Sequence, residues 1–242
     1  LDGLRALAVV MVLAYHLKIP FAKSGLLGVT VFFVLSGFLI TRILITEIEE
    51  THTIDLKNFW VRRIRRLIPA VLSMAVVIIF VSAVVNRVVF TKGCKDFVAS
   101  VLGFNNWWQI FNKVSYFEAA GAPSPFTHCW SLAIETQFYL IYPILLLLLA
   151  RVVRGRKKRG KVFAIVSALL AVVSMILMAV LYNPNGDPSR VYYGTDTRAF
   201  SLLIGALAAI QLEYRIIKVR LPRKIWALIG SISLVILTCM MI

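Results

Sequence analysis

The chain has 242 residues, of which 60% are hydrophobic and only 16% are charged, and its mean hydropathy is +0.85. Soluble domains are about half apolar and a quarter charged, so this composition excludes an ordinary soluble enzyme and favours a polytopic membrane protein. The net charge of +16 lies mostly between apolar runs, as membrane topology signals do, and therefore does not indicate a nucleic-acid-binding protein. The three cysteines lack the paired spacing of a zinc site, and no metal site is expected.

Apolar runs in the first third of the chain predict three spans, at Leu4–Ile19, Leu26–Ile45 and Ile68–Val85. The first run also has the length of the apolar core of a signal peptide, an alternative that the sequence leaves open. Leu56–Leu67 interleaves aromatic and aliphatic residues with cations, a pattern typical of a helix lying in the interface beside anionic lipid or phosphate. Pro69 then stands where a new helix can begin.

The rest of the chain predicts four further spans, at His128–Ala150, Val162–Tyr182, Arg198–Leu212 and Ile225–Ile242. The run at Phe97–Phe111 carries two tryptophans and is predicted to be interfacial or re-entrant. The sequence therefore predicts an all-α, polytopic helix bundle with about seven visible spans.

The cations predict the orientation of this bundle. With the N-terminus inside, the inner connections are Thr46–Leu67, Arg151–Lys161 and Glu213–Lys224, which hold five, seven and five of the 27 Lys and Arg residues. The outer connections hold few, as the positive-inside rule requires.

Ionisable side chains inside the spans are candidate functional residues, because each costs several kcal/mol in lipid unless it is paired or solvated. Arg5 and His16 are eleven residues apart, which places them about 20° apart on one helix face and ~16 Å apart along its axis. His128, Glu135 and Tyr139 form a single polar stripe on the fourth predicted span. The further candidates in or near the spans are Arg42, Asp196 and Arg198.

Several of these residues also have a structural interpretation. Glu135 could neutralise Arg198 or Arg5 in an ion pair, and His128 could be an ordinary interfacial residue. The Arg62–Arg66 cluster could act only as a topology determinant. An unpaired imidazole inside an apolar helix has little structural use, which makes His16 the strongest functional candidate.

Four ordered segments resemble the signature motifs of the membrane acyltransferase-3 family, at Leu1–His16, Gly28–Thr41, Arg62–Ala70 and Trp130–Pro143. Tyr193–Ala199 resembles the subgroup that O-acetylates cell-wall peptidoglycan in Gram-positive bacteria. Family members have about ten spans, so residues 1–242 are expected to form one acyltransferase domain that is incomplete at its C-terminal end.

The resemblance implies a multi-pass O-acyltransferase of a bacterial plasma membrane. The acyl group, expected to be acetyl, would pass from cytoplasmic acyl-CoA to a hydroxyl of an extracytoplasmic glycan, such as peptidoglycan, or of a carrier. Membrane lipid would surround the domain, and cell-wall members often carry an extracellular esterase-like domain as well.

The same resemblance suggests roles for the candidate residues. Arg5, Arg62, Arg63 and Arg66 would bind the phosphates of acetyl-CoA, for which guanidinium groups are well suited. His16 and Glu135 would be catalytic, with the imidazole either taking a proton from the attacking hydroxyl or carrying the acyl group itself. The residues expected to support them are His128, Tyr139, Asp196 and Arg198.

A transporter is the alternative to a transferase. Intramembrane His, Glu and Arg are also found in proton-coupled carriers. A protein that carries acyl groups across the membrane, without transferase chemistry of its own, would use similar residues.

Overall fold

The computed structural model describes residues 1–20, 22, 24–117, 124–217 and 222–240. Within these ranges every regular element is a helix and none is a strand, which confirms the predicted all-α fold. The helices are α1 (Asp2–His16), α2 (Leu27–Thr51), α3 (Leu56–Val85), α4 (Arg87–Val101), α5 (Asn105–Phe111), α6 (Cys129–Val152), α7 (Arg156–Leu181), α8 (Ser189–Tyr193), α9 (Thr195–Tyr214) and α10 (Arg223–Cys239).

Four of these helices, α2, α3, α6 and α7, are long and apolar enough to cross a membrane. The other three predicted spans overlap α1, α9 and α10, so each of the seven contains a helix. α1 has 15 residues and α10 has 17. At 1.5 Å per residue they measure about 22–26 Å, less than the ~30 Å hydrocarbon core of a bilayer. The structure thus contains four candidate spans, and the number seven stays a prediction.

The predicted break at Pro69 is wrong. α3 is one continuous helix of 30 residues, with Pro69 inside it. It begins where the Asp55 carboxylate accepts a hydrogen bond of 2.9 Å from the backbone N–H of Asn58. A proline removes only one intrahelical hydrogen bond, and long membrane helices tolerate that loss. The basic and apolar halves of α3 are therefore a single rod.

Glycines bring α2 and α9 into backbone contact. A Cβ atom added to Gly37 would overlap the carbonyl of Leu202, and one added to Gly205 would overlap the carbonyl of Val34. Small residues allow this close approach in membrane helices. α9 packs along α7 on its other side, which makes α2, α9 and α7 the centre of the bundle.

Ion pairs join the same three helices at the end where α2 stops. The Glu49 carboxylate accepts hydrogen bonds from Arg159 of α7, at 3.1 Å, and from the Tyr214 hydroxyl of α9, at 2.7 Å. Arg42 donates to Glu213 at 2.9 Å, so this arginine of α2 is paired with α9.

The predicted interfacial segment Phe97–Phe111 forms parts of two helices, because the chain turns between α4 and α5 at Gly103, where φ is +74°. α5 presents buried amide side chains to its neighbours. Asn105 donates to the carbonyl of Phe126 just before α6, and Asn106 donates at 3.0 Å to the carbonyl of Tyr193 in α8. α5 therefore fixes α8 relative to the start of α6.

Candidate functional site

A cavity of about 320 Å³ lies between α1, α2, α3 and α6. Apolar side chains form much of its wall, and its polar lining consists of Arg5, Ser36, Arg63, Arg66, Glu135 and Tyr139. The first three helices and α6 thus place most of the predicted donor-binding and catalytic residues around one space.

The cavity lies near the middle of the bundle. At 1.5 Å per residue, Glu135 and Tyr139 are about 9 and 15 Å from the start of α6, which is ~36 Å long. Arg5 reaches this depth because α1 packs beside the beginning of α2, where Gly28 contacts Ala8. The cations that line the cavity therefore lie between the helices of the bundle, and their position relative to a membrane surface stays a prediction.

Three buried polar atoms in this lining have no hydrogen-bond partner, namely Nε of Arg5, Nε of Arg63 and Oε1 of Glu135. Buried polar groups are nearly always paired, so such a concentration in one cavity indicates a place where a ligand supplies the missing partners. The other Glu135 oxygen accepts a hydrogen bond of 3.3 Å from the Tyr139 hydroxyl.

Glu135 forms no ion pair in the described part of the chain, although its side chain is only 5% exposed. The proposed structural pair with Arg5 or Arg198 is therefore not observed. A buried carboxylate with no cation in direct contact is costly, and Arg5 and Arg66 act on Glu135 only from across the cavity, which favours a functional role for this residue.

Aromatic rings hold the cavity arginines in place. The guanidinium carbon of Arg63 lies 5.4 Å from the ring centre of Phe59 and 5.9 Å from that of Tyr139. Arg5 lies 5.9 Å from the ring centre of Phe32. Such cation–π contacts orient a guanidinium and leave its N–H edges available. Arg62, one position earlier and about 100° around the helix, is exposed and does not line the cavity.

His16 lies at the other end of α1. Its Nδ1 atom is 2.7 Å from the carbonyl oxygen of Val12, which can only accept, so Nδ1 carries the proton of the neutral ring. Nε2 then has the lone pair and lies 3.2 Å from the Tyr116 hydroxyl. Burial raises the pKa of Tyr116 to about 12, so the phenol is protonated at neutral pH and donates to Nε2.

His16 lies at the edge of an aromatic cluster whose other members are Tyr116, His128, Trp130 and Tyr192. The ring centres of His16 and His128 are 4.5 Å apart with perpendicular planes, and those of Tyr116 and Tyr192 are 4.7 Å apart. Tyr192 also lies 4.5 Å from Trp130. The predicted polar stripe of α6 therefore divides: His128 joins His16, whereas Glu135 and Tyr139 line the cavity.

The predicted supporting residues Asp196 and Arg198 do not pair with each other. Asp196 accepts two hydrogen bonds from Arg190, at 2.7 and 3.1 Å. Arg198 donates through Nε to the carbonyl of Tyr192 at 3.3 Å and lies 4.6 Å from the centre of its ring. Arg198 thus contacts the aromatic cluster through Tyr192.

Sequence reasoning missed Tyr116 and Tyr192. Both lie in polar connections, where helical periodicity gives no information, and Tyr116 is one hundred positions from His16. Their only sequence signal was the density of aromatic residues in those connections. Across the described ranges, no three His, Cys, Asp or Glu side chains are arranged to hold a metal ion.

The complete chain, residues 1–242, matches the family model for an acyltransferase domain. The chain belongs to this family. Membership confirms the resemblance that the four sequence motifs predicted, and it places the cavity and the aromatic cluster in an acyltransferase domain.

Individual members of the family are similar over most of the chain. The peptidoglycan O-acetyltransferase OatA of Listeria monocytogenes is 46% identical over 239 residues, which cover 99% of this chain and 38% of that protein. The putative peptidoglycan O-acetyltransferase YrhL of Bacillus subtilis is 47% identical over 226 residues, covering 93% of this chain and 35% of that protein. A putative O-acetyltransferase of Staphylococcus aureus strain COL is 43% identical over 209 residues, with coverages of 86% and 34%.

The chain spans little more than a third of the length of these curated relatives. No solved structure matches it.

Proposed function

We propose that this chain is the membrane domain of an O-acyltransferase that moves an acetyl group from acetyl-CoA to a hydroxyl of an extracytoplasmic glycan such as peptidoglycan. The observation that carries the proposal is a cavity in which arginine and carboxylate atoms have no hydrogen-bond partner. Helix α1 links this cavity to His16, whose Nε2 carries the lone pair of the neutral ring. Family membership supports acyl transfer, and the names of the relatives support acetyl and peptidoglycan.

In this proposal the domain crosses a bacterial plasma membrane with its N-terminus inside. The seven visible helical segments would be part of about ten spans. The basic connections that precede α3 and α7 would face the cytoplasm, as the positive-inside rule favours. His16 and its aromatic cluster would then lie near the outer surface, and the cavity would lie between them and the cytoplasm.

Acetyl-CoA would enter from the cytoplasmic side and place its phosphates on Arg5, Arg63 and Arg66. Guanidinium groups form charge-assisted, bidentate contacts with phosphate oxygens, and Arg5 and Arg63 have unpartnered Nε atoms in the cavity. Glu135 Oε1, also without a partner, would accept a hydrogen bond from a pantetheine amide N–H. The mid-depth position of the cavity would bring the thioester towards His16.

His16 Nε2 would take the proton of the acceptor hydroxyl as its oxygen attacks the thioester carbonyl and the CoA sulfur leaves. The Tyr116 hydroxyl donates a hydrogen bond to Nε2 in the structure, and the acceptor hydroxyl would displace it. In a two-step transfer, Nε2 is also the atom that would carry the acyl group.

Purified protein in lipid nanodiscs, incubated with labelled acetyl-CoA and soluble glycan fragments, tests the proposal. We expect release of CoA thiol and label on the glycan, with both lost in His16→Ala. Uptake of label into proteoliposomes without any CoA release would instead establish a transporter. An exposed control, His52→Asn, should retain both reactions, because Asn also tolerates the left-handed backbone at that position.

A further inference from the structure

A second pocket, of about 340 Å³, opens where α7 ends and shares no lining residue with the cavity that contains Arg5 and Glu135. It lies between the last turn of α7, α8, the first turn of α9 and the segment before residue 118. Its walls include Phe117, Met178, Ala179, Tyr182, Tyr192 and Arg198. None of the proposed steps of acyl transfer uses this space.

Arg198 gives the pocket an uncompensated positive charge. In the described ranges no carboxylate lies within 4.0 Å of its guanidinium, and the nearby Asp196 is paired with Arg190. Nε of Arg198 donates to the carbonyl of Tyr192, which leaves the two terminal nitrogens with four N–H donors. This geometry suits an anion with several oxygen atoms.

The remaining lining is almost entirely apolar or aromatic. Met178 and Ala179 lie in the last turn of α7, and Tyr182 comes directly after it. A sugar would leave many hydroxyl groups without partners in such a pocket, at a high desolvation cost. An amphiphilic anion, with one charged group and a hydrocarbon chain, matches it better.

The end of α7 is also where lipid headgroups are expected. α7 is a candidate membrane span that ends at Leu181, and Tyr182 follows at once. Tyrosine is enriched at this level of the bilayer, because its ring packs in the apolar region while its hydroxyl remains hydrated.

We infer that this pocket binds the phosphate headgroup of an outer-leaflet lipid, with the phosphate on Arg198 and the hydrocarbon chain along Met178 and Ala179. The assignment to the outer leaflet rests on the proposed orientation, whereas the binding itself does not depend on acyl transfer. A bulk anionic phospholipid and a polyprenyl phosphate present the same chemistry here.

Native mass spectrometry of the purified protein in neutral detergent measures this binding directly. Phosphatidylglycerol is titrated, and diacylglycerol with the same chains is the control without a headgroup. We expect Arg198→Ala to weaken phosphatidylglycerol binding by about 10- to 100-fold, the usual loss for a charge-assisted contact. Arg87→Ala removes an exposed arginine at the start of α4 and should change nothing.

A second pair of variants tests the pocket without altering its charge. Ala179→Trp should fill the space beside Arg198 and weaken the same binding, and because Ala179 is exposed its replacement leaves the packed core intact. Val180→Trp, at a neighbouring position that is 74% exposed and outside the lining, is the matched control.

Competition identifies the source of the lipid. Displacement of phosphatidylglycerol by a lower concentration of polyprenyl phosphate would assign the pocket to a lipid carrier, and equal competition would assign it to bulk lipid; both outcomes support the inference. If the Arg198→Ala protein binds phosphatidylglycerol as tightly as the wild type, the inference is overturned. If that variant does not fold, unchanged binding by the Ala179→Trp protein overturns it. Arg198-dependent binding of a water-soluble acidic glycan in place of the lipid would make the pocket a glycan site instead. The readout is lipid binding, so its failure is distinct from a failure of acyl transfer.

Discussion

The hydroxyl of Tyr116 lies 3.2 Å from Nε2 of His16, the nitrogen that carries the lone pair of the neutral ring. Tyr116→Phe removes this contact and keeps the ring against Tyr192, so the fold should persist. Because the acceptor hydroxyl must displace this phenol from Nε2, we expect the KM for the acceptor to fall by about tenfold, the effect of one hydrogen bond. Steady-state CoA release at a series of acceptor concentrations checks this; an unchanged KM would mean that the phenol does not compete with the acceptor for the base.

His16→Ala should reduce transfer by about 10²–10⁴-fold if the imidazole is a general base. The side chain is exposed, so its removal creates no core cavity, and the melting temperature should not change. Turnover, melting temperature and CoA binding are compared with those of His52→Asn. Normal turnover in the His16 variant would contradict the proposed mechanism, and a lowered melting temperature with intact specific activity would assign a structural role.

Arg62 and Arg63 form a matched pair, because they are adjacent and only Arg63 lines the cavity. Arg63→Ala should raise the KM for acetyl-CoA by about 10- to 100-fold, since a charge-assisted phosphate contact is lost. Arg62→Ala should leave the KM within about twofold, the range of an exposed charge. Equal effects of the two substitutions would indicate general attraction of the anionic donor in place of a specific contact.

Gly37→Ala should destabilise the bundle, because the added methyl group overlaps the Leu202 carbonyl and separates α2 from α9. Overpacking of this kind costs about 1–3 kcal/mol. Gly230→Ala, where a methyl group meets open space, is the control and should not lower stability. Thermal unfolding in detergent, followed by size-exclusion chromatography, distinguishes the two. Equal melting temperatures would mean that the glycine contact is not required.

The proposed orientation predicts opposite labelling of two engineered cysteines in intact cells. In a background without Cys94, Cys129 and Cys239, Asn185→Cys should react with an impermeant thiol reagent, because it lies in the outer connection. Lys158→Cys, in the basic run of α7, should react only after the cells are permeabilised. The reverse labelling pattern would show that the orientation is opposite to the proposed one.

Sequence periodicity predicted the helices well, because apolar runs of this length have few alternatives in lipid. The cavity was partly predictable, since a charged residue inside a span is costly and Arg5 and Glu135 were candidates on that ground. Arg63 was a candidate because of the family resemblance. The depth of the cavity was not, because it depends on where α1 packs along α2. The contact between Tyr116 and His16 arises from tertiary structure, and no local pattern encodes it.

The ion pair between Arg42 and Glu213 joins residues that are 171 positions apart. At the usual rates of protein synthesis, about 5–20 residues per second, α2 waits roughly 10–35 s in the membrane before α9 follows it. During that time the face of α2 that carries Gly37 has no helix against it. The partly made protein must therefore depend on lipid or on the insertion machinery to cover this face, and a chain that stops before α9 would leave it as a site for misassembly.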